Sequence, residues 1–358
     1  MPEISPAAID RLRDVRAGSP EVVASTLAAR TRRPLLGDDG KLFIAAADHP
    51  ARGALAVRDD ESAMADRYDL LERLVVALGR PGVDGVLGTP DILEDLALLG
   101  ALDGKVVVGS MNRGGLRGAT FEMDDRYTAY SAAAIKRSGF DFAKLLVRVN
   151  LQDAGTAPTL EATAKAVTEA AAEQLPIMLE PFMSSWQDGR VVNDLTADAV
   201  ITSMAIAAGL GESSAYSWLK VPVVDDMERV MAATTLPTLL LGGDPSSRPL
   251  ETYATWADAL ALPGVRGLVV GRTLLYPPDG DVAAAVDVAA GLVHTRPGGD
   301  PSGGSVDRHP GGSVHSQSGG SVHSQEARGG SSTDPHDPAA RLAGSTTMDS
   351  SIPEGSTA

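Results

Sequence analysis

From Lys41 onward the chain alternates between two hydrophobic patterns. Short apolar runs occur at 41–47, 83–88, 105–110, 142–149, 176–181, 217–223, 237–243 and 266–271. Runs of this length, bounded by turn residues, suit strands buried on both faces. Helix-type spacing lies between them, at 60–78, 124–138, 159–174, 196–208, 247–260 and 280–294. Asp124, Thr159 and Thr196 stand where N-caps are expected. Eight strands alternating with helices over roughly 250 residues predict an α/β protein of the (β/α)8, or TIM, barrel class. A doubly wound open sheet shares this rhythm, but no Gly-x-Gly-x-x-Gly follows the first strand, which counts against it.

The ends of the chain read differently. Ser5-Pro6 and Ser19-Pro20-Glu21 each look like an N-cap followed by proline at the first helical position. They predict short helices over 6–16 and 20–31, so that residues 1–34 cap one end of a barrel occupying 35–295. After Arg296, Gly-Gly-Ser-Val recurs at 303, 311 and 319 among Gly, Ser, Pro and His. Such a segment buries too little apolar area to offset its ordering entropy, so 296–358 is expected to be a disordered tail.

Composition narrows the chemistry. The formal net charge of the 358 residues is -16. An acidic surface argues against nucleic acid or an anionic membrane as partner, while leaving room for a local basic pocket. There are no cysteines, which removes disulfides, thiolate catalysis and Cys-ligated zinc. Four of the six histidines lie in the tail and His294 ends the last helical pattern, leaving His49 within the barrel body. A His-rich zinc site is therefore not expected, and no metal or cofactor is implied. The N-terminal residues lack the basic and apolar regions of a signal peptide, and no apolar stretch is long enough for a membrane span. A cytoplasmic location is the expectation that follows.

Against this background Ser217–Val224 stands out, an apolar run with Lys220 in its middle. A buried ammonium must be paired, neutral or functional. A lysine of lowered pKa can attack a carbonyl to form a Schiff base, whereas a strand-end lysine can simply snorkel to solvent. Polar residues also close the other runs: Asp48-His49, Lys144 and Arg148 on one strand face, Glu180, Gly242-Gly243-Asp244 and Gly271-Arg272. C-terminal strand ends form the functional face of a barrel. Acids and bases there also make structural ion pairs, so each residue alone is weak evidence. Together, Lys144 is placed to depress the pKa of Lys220, Glu180, on the strand between them, to shuttle protons between hydroxyl, carbinolamine and water, and Asp48 to take the proton from the hydroxyl whose C–C bond breaks. Gly242, Gly243 and Gly271 let backbone N–H groups approach a phosphate, with Arg272 supplying charge. Arg113 and Arg117 lie in a glycine-rich loop after the third strand, where they either bind a second anion or are incidental; His49 either contacts substrate or packs at the rim.

The motifs Ala-Ala-Asp48-His49, Lys144, Glu180, Leu-Lys220-Val and Val-Gly271-Arg272 make residues 40–294 resemble the class I aldolases of the (β/α)8 superfamily, the group of deoxyribose-phosphate, tagatose-bisphosphate and fructose-bisphosphate aldolases. The resemblance implies Lys220 as the Schiff-base lysine, Asp48, Lys144 and Glu180 as acid/base residues, and Arg272 with the glycines as phosphate ligands. It departs from the deoxyribose-phosphate branch, since strand three ends in Gly109-Ser110 and strand seven has no lysine. More narrowly, the chain resembles barrel proteins of actinobacterial inositol-catabolism clusters. That implies cleavage of 2-deoxy-5-keto-gluconate 6-phosphate to dihydroxyacetone phosphate and malonate semialdehyde. A silent sugar-phosphate-binding barrel is the alternative of another class. The expected partner is a small phosphorylated substrate, and a homo-oligomer is compatible with the sequence.

Overall fold

The eight apolar runs become eight parallel strands. A computed structural model describes residues 4–112, 115–243 and 248–294. The expected tail, Arg113 and Asp244 lie outside the described residues. The strands are β1 (Leu42–Ala46), β2 (Gly85–Gly88), β3 (Val106–Ser110), β4 (Phe142–Val149), β5 (Ile177–Gln187), β6 (Arg190–Asn193), β7 (Ser217–Pro222), β8 (Thr238–Leu241) and β9 (Val265–Val270). All but β6 pair in parallel around a ring, which closes where β9 pairs with β1, Leu42 opposite Gly267. This is a (β/α)8 barrel, and closure removes the sheet edges that an open α/β sheet would leave. The exception, β6, is an antiparallel extension of β5.

Side chains alternate across each strand. Leu42, Ile44, Val106, Val108, Phe142 and Met178 point inward and pack with Leu239 and Val269 as one interior cluster. Leu35 and Leu36 pack against that cluster. The segment leading to them crosses the N-terminal end of the barrel. Arg30 donates to the Lys105 and Gly139 carbonyls, Arg32 pairs with Asp141, and Arg33 pairs with Asp84. Lys105, Asp141 and Asp84 each sit just before a strand, so the N-terminal segment forms the barrel floor and leaves the opposite mouth for chemistry.

The helices partly follow the pattern. Those at Pro6–Gly18 and Ala197–Ala208 start at Ser5 and Thr196, whose side chains accept from Ala8 and Ala199 N–H groups. The second helix, Glu21–Ala29, begins one residue later than expected. Two caps are corrected. Asp124 pairs with Arg126 in a loop, and helix starts only at Ala132, capped by Ser131. Thr159 is buried inside the helix Thr156–Ala172, its hydroxyl bridging Met123 and Asp125 backbone groups. Asp60 bridges to Val57 and residues 61–65 are turn rather than helix, because Asp66 caps Arg67–Leu78. Helices at Pro90–Leu98, Met227–Ala232 and Pro249–Leu260 complete the crossovers, and a short helix at Arg272–Leu275 follows β9.

His294 contributes to the floor. It ends the helix Val282–His294, its Nδ1 lies 2.6 Å from Asp39 and its Nε2 3.2 Å from Asp84. The hydrogen bond with Asp84, helped by Asp39 and opposed by burial, raises its pKa to about 9. A pKa raised in the folded state contributes stability that is complete below the unfolded value, 6.5, and lost as pH rises through about 9. His294→Gln is therefore expected to lower the urea midpoint clearly at pH 6 and much less at pH 9.5. An equal loss at both pH values would mean that the imidazolium charge contributes nothing.

Candidate active site

The apolar interior gives way to a polar layer one alternation further along the strands. Phe142 is followed on its face by Lys144, Met178 by Glu180, Trp218 by Lys220, Val108 by Ser110, and Ala46 by Asp48 just past β1. Five polar residues thus meet at one level, toward the C-terminal strand ends.

They form a continuous chain. Lys220 Nζ lies 2.5 Å from Glu180 Oε1, and Lys144 Nζ lies 2.5 Å from Glu180 Oε2. Lys144 Nζ also lies 3.2 Å from Asp48 Oδ2, which accepts from the Ser110 hydroxyl at 3.2 Å. Two carboxylates and two ammonium groups alternate, so the four formal charges cancel within the barrel. Side-chain exposure rises from 2% at Lys144 to 7% at Lys220 and 11% at Glu180. The Lys220–Glu180 end is therefore the more exposed one.

The electrostatics follow from this order. Burial alone would push Glu180 up, but Lys144 and Lys220 outweigh it and bring the carboxyl to about 2. Glu180 rests as a carboxylate. Burial also lowers the Lys220 pKa, Glu180 opposes that shift, and Lys144 adds a further push downward. The like-charge effect expected from the sequence is present, then, but desolvation is the larger cause.

Arg148, a further candidate for binding the substrate or its phosphate, is corrected by its contacts. It shares the inward face with Lys144 but binds no open space. Its guanidinium pairs with Asp125 at 2.8 Å and Glu122 at 3.0 Å, and donates to the Glu122 carbonyl. With 3% side-chain exposure it pins the loop after β3 rather than offering donors to a substrate. Gly115 lies against the guanidinium, where a Cβ would overlap Arg148 Nη2 and the Glu122 carbonyl. Arg52, from the loop after β1, reaches the same Glu122 at 3.9 Å.

The residues expected to bind phosphate follow two adjacent strands. Gly242 and Gly243 follow β8, and Gly271 and Arg272 follow the adjacent β9. Arg272 is half-buried and donates to the Ala56 carbonyl at 3.3 Å. A Cβ on Gly271 would lie 2.5 Å from the Ala46 carbonyl and 2.9 Å from His49 Cε1. His49 therefore packs on the Gly271 backbone, and its Nδ1 stands 3.8 Å from Asp48. Among the described residues no group of three or more His, Asp and Glu is arranged to hold a metal ion.

Residues 40–290 match the model of Cgl0159-like proteins. The chain belongs to the Cgl0159-like family. The crystal structure of Cgl0159 from Corynebacterium glutamicum (Brevibacterium flavum) is 69% identical over 82% of this chain and 99% of that one, with a TM-score of 0.81. An archaeal fructose-1,6-bisphosphate aldolase with its catalytic lysine covalently bound to the carbinolamine intermediate is 21% identical, over 76% of this chain and 99% of that one, with a TM-score of 0.56. A second archaeal fructose 1,6-bisphosphate aldolase structure gives 20% identity over 76% and 98%, with a TM-score of 0.55. No curated protein matches the sequence. At these identities the likeness to the aldolases is one of fold. This member of the Cgl0159-like family thus shares the (β/α)8 barrel fold with them.

Sequence reasoning missed Ser110 and the Arg52–Glu122–Asp125 set. Ser110 carried a signal, being the polar residue that ends the apolar run 105–110. Glu122 and Asp125 carried none, because acids in a loop ordinarily face water.

Proposed function

We propose that this protein is a class I aldolase that forms a Schiff base on Lys220 and cleaves a C–C bond of a phosphorylated keto sugar or keto acid. The observation that carries this reading is a single buried carboxylate, Glu180, held between two lysines with its more exposed end on Lys220. An ion pair kept only for packing needs one lysine. Two lysines sharing one acid provide a nucleophile, a proton carrier and a reserve charge.

The chemistry uses each group in turn. Transfer of a proton from Lys220 to Glu180 yields the neutral amine and loads the acid. The amine attacks the substrate ketone, and Glu180 returns its proton to the carbinolamine hydroxyl, which leaves as water. The resulting iminium withdraws electrons from the adjacent C–C bond. Asp48 takes the proton of the hydroxyl beyond that bond, the bond breaks, and an aldehyde departs, leaving an enamine. Protonation of the enamine and hydrolysis release the second product and restore Lys220. Lys144, between the two carboxylates, helps hold Glu180 ionised at rest and ties it to Asp48.

The narrower substrate reading is 2-deoxy-5-keto-gluconate 6-phosphate, attacked at its C5 ketone, cut between C3 and C4, and released as malonate semialdehyde and dihydroxyacetone phosphate. It is supported by the sequence resemblance to barrel proteins of inositol-catabolism clusters and by the cationic and glycine-rich phosphate region around Arg272. Arg272→Ala is expected to weaken binding of phosphorylated substrate by on the order of 2–4 kcal/mol, as for loss of a buried charge-assisted bond. Unchanged kcat and KM would move the phosphate elsewhere. The test of the activity class is borohydride reduction in the presence of dihydroxyacetone phosphate, followed by peptide mapping. A label on the peptide containing Ser217–Val224 supports the aldolase. No label with any triose or ketose phosphate would leave a sugar-phosphate-binding barrel.

A further inference from the structure

The extension of β5 by β6 leaves one strand edge that the barrel does not close. Ser184–Gln187 pair with Arg190–Asn193 through a tight turn at Asp188-Gly189, both with positive φ. Asp194 N–H donates to the Met183 carbonyl at 2.9 Å, which fixes the alternation. Arg190, Val192 and Asp194 direct their backbone groups toward β5, and Val191 and Asn193 direct theirs outward. Among the described residues no other strand pairs with that edge. The ribbon also carries exposed apolar side chains, with Val192 39% and Leu195 55% exposed. Trp186 ties it through Asp153, at 2.5 Å, to the loop that bears Leu151, 81% exposed.

Free edges are ordinarily blunted by charges of one sign, which repel a second copy. Here the charges are of opposite sign and lie symmetrically about Val192, Arg190 on one side and Asp194 on the other. We propose that β6 is a self-complementary docking edge, on which a second copy of this chain pairs antiparallel about a two-fold axis through Val192.

The register follows from two independent conditions. Outward-facing residues must meet outward-facing residues, which allows two-fold axes at Val191, Val192 or Asn193. An axis at Val191 sets Asp188 against the second copy's Asp194, two like charges. An axis at Asn193 sets Arg190 against Thr196 and Asp194 against Val192, with no ion pair. Only the axis at Val192 sets Arg190 against Asp194 twice and Val192 against itself, while Val191 and Asn193 exchange about four backbone hydrogen bonds. Arg190, Val192 and Asp194 share one face of the ribbon, so both ion pairs flank the apolar contact. The occupant is therefore another copy of this chain, because an unrelated strand would match neither the charge order nor the symmetry.

The absence of native cysteine makes the register testable in the full-length protein. At the axis the two Val192 residues form a pair without mutual hydrogen bonds, with Cα atoms about 4.5 Å apart, within the range a disulfide spans. Oxidised Val192→Cys is expected to run as a covalent dimer, and Val191→Cys and Asn193→Cys are expected to stay monomeric on the same gel. Sedimentation is expected to show a wild-type dimer whose Kd rises at least tenfold in Arg190→Glu and in Asp194→Arg. Combining the two substitutions is expected to restore the affinity, since the pairs re-form with exchanged signs. Asp194 also accepts from the Thr196 N–H, and the combined variant separates that local role from the contact. A wild type monomeric at its highest soluble concentration would overturn the proposal. So would a dimer indifferent to both single reversals, or one that cross-links at residue 191 or 193 instead of 192.

Discussion

Lys220→Met is expected to abolish borohydride trapping and to lower turnover by roughly 10^4-fold or more, the scale seen when a covalent nucleophile is removed. The folded structure should persist, because Glu180 keeps Lys144 as its partner at 2.5 Å and methionine fills a similar volume. Lys144→Met separates the roles of the two amines. Trapping on Lys220 should remain, while turnover falls about 10^2-fold through loss of the charge that helps hold Glu180 ionised. Peptide mapping of the reduced adduct reads both variants directly. A label that persists in Lys220→Met, or that lies on Lys144 in the wild type, would reverse the two lysines.

The residues that could be read in advance are those whose chemistry conflicts with their surroundings. Lys144, Glu180 and Lys220 each interrupt an apolar strand, and strands buried on both faces make such interruptions visible. The barrel was apparent for the same reason, since eight buried parallel strands appear as eight apolar runs. Pairing distances were not apparent, because strand position sets the level of a side chain but not its rotamer. The loop from Gly115 to Tyr130 failed differently. Two of its acids, Glu122 and Asp125, three residues apart as on one face of a helix, are in fact buried partners of Arg148. An amphipathic pattern records only that polar residues recur, not whether water or an arginine receives them. At β6 a signal existed and went unread. Asp188-Gly189 between alternating residues is a strong hairpin turn, but its strands are half polar and do not resemble the apolar runs around them.

Glu180→Gln tests the charge chain as a unit. The wild-type carboxylate accepts from Lys220 on one oxygen and Lys144 on the other. Glutamine offers one acceptor oxygen and one donor nitrogen, so an N–H group faces one of the ammonium groups. Breaking a buried ionic network on one side costs about 3–5 kcal/mol. In a barrel of this size the melting temperature is expected to fall by on the order of 10 °C near neutral pH. The pH dependence identifies the cause. The Glu180 pKa falls from 4.5 in the unfolded chain to about 2 in the folded one. Its stabilisation is present above about pH 4.5 and is lost as pH falls through about 2, so the gap between wild type and variant should close on acidification. The gap should also narrow on the alkaline side. Without the carboxylate, the buried Lys220 is pushed further below its unfolded value of 10.5, and raising the pH removes the proton that makes its burial costly. Denaturant titrations from pH 3 to pH 10 would display a difference widest in the middle. A difference constant across that range would mean that Glu180 acts by shape alone, and the proton route assigned to it would have to be abandoned.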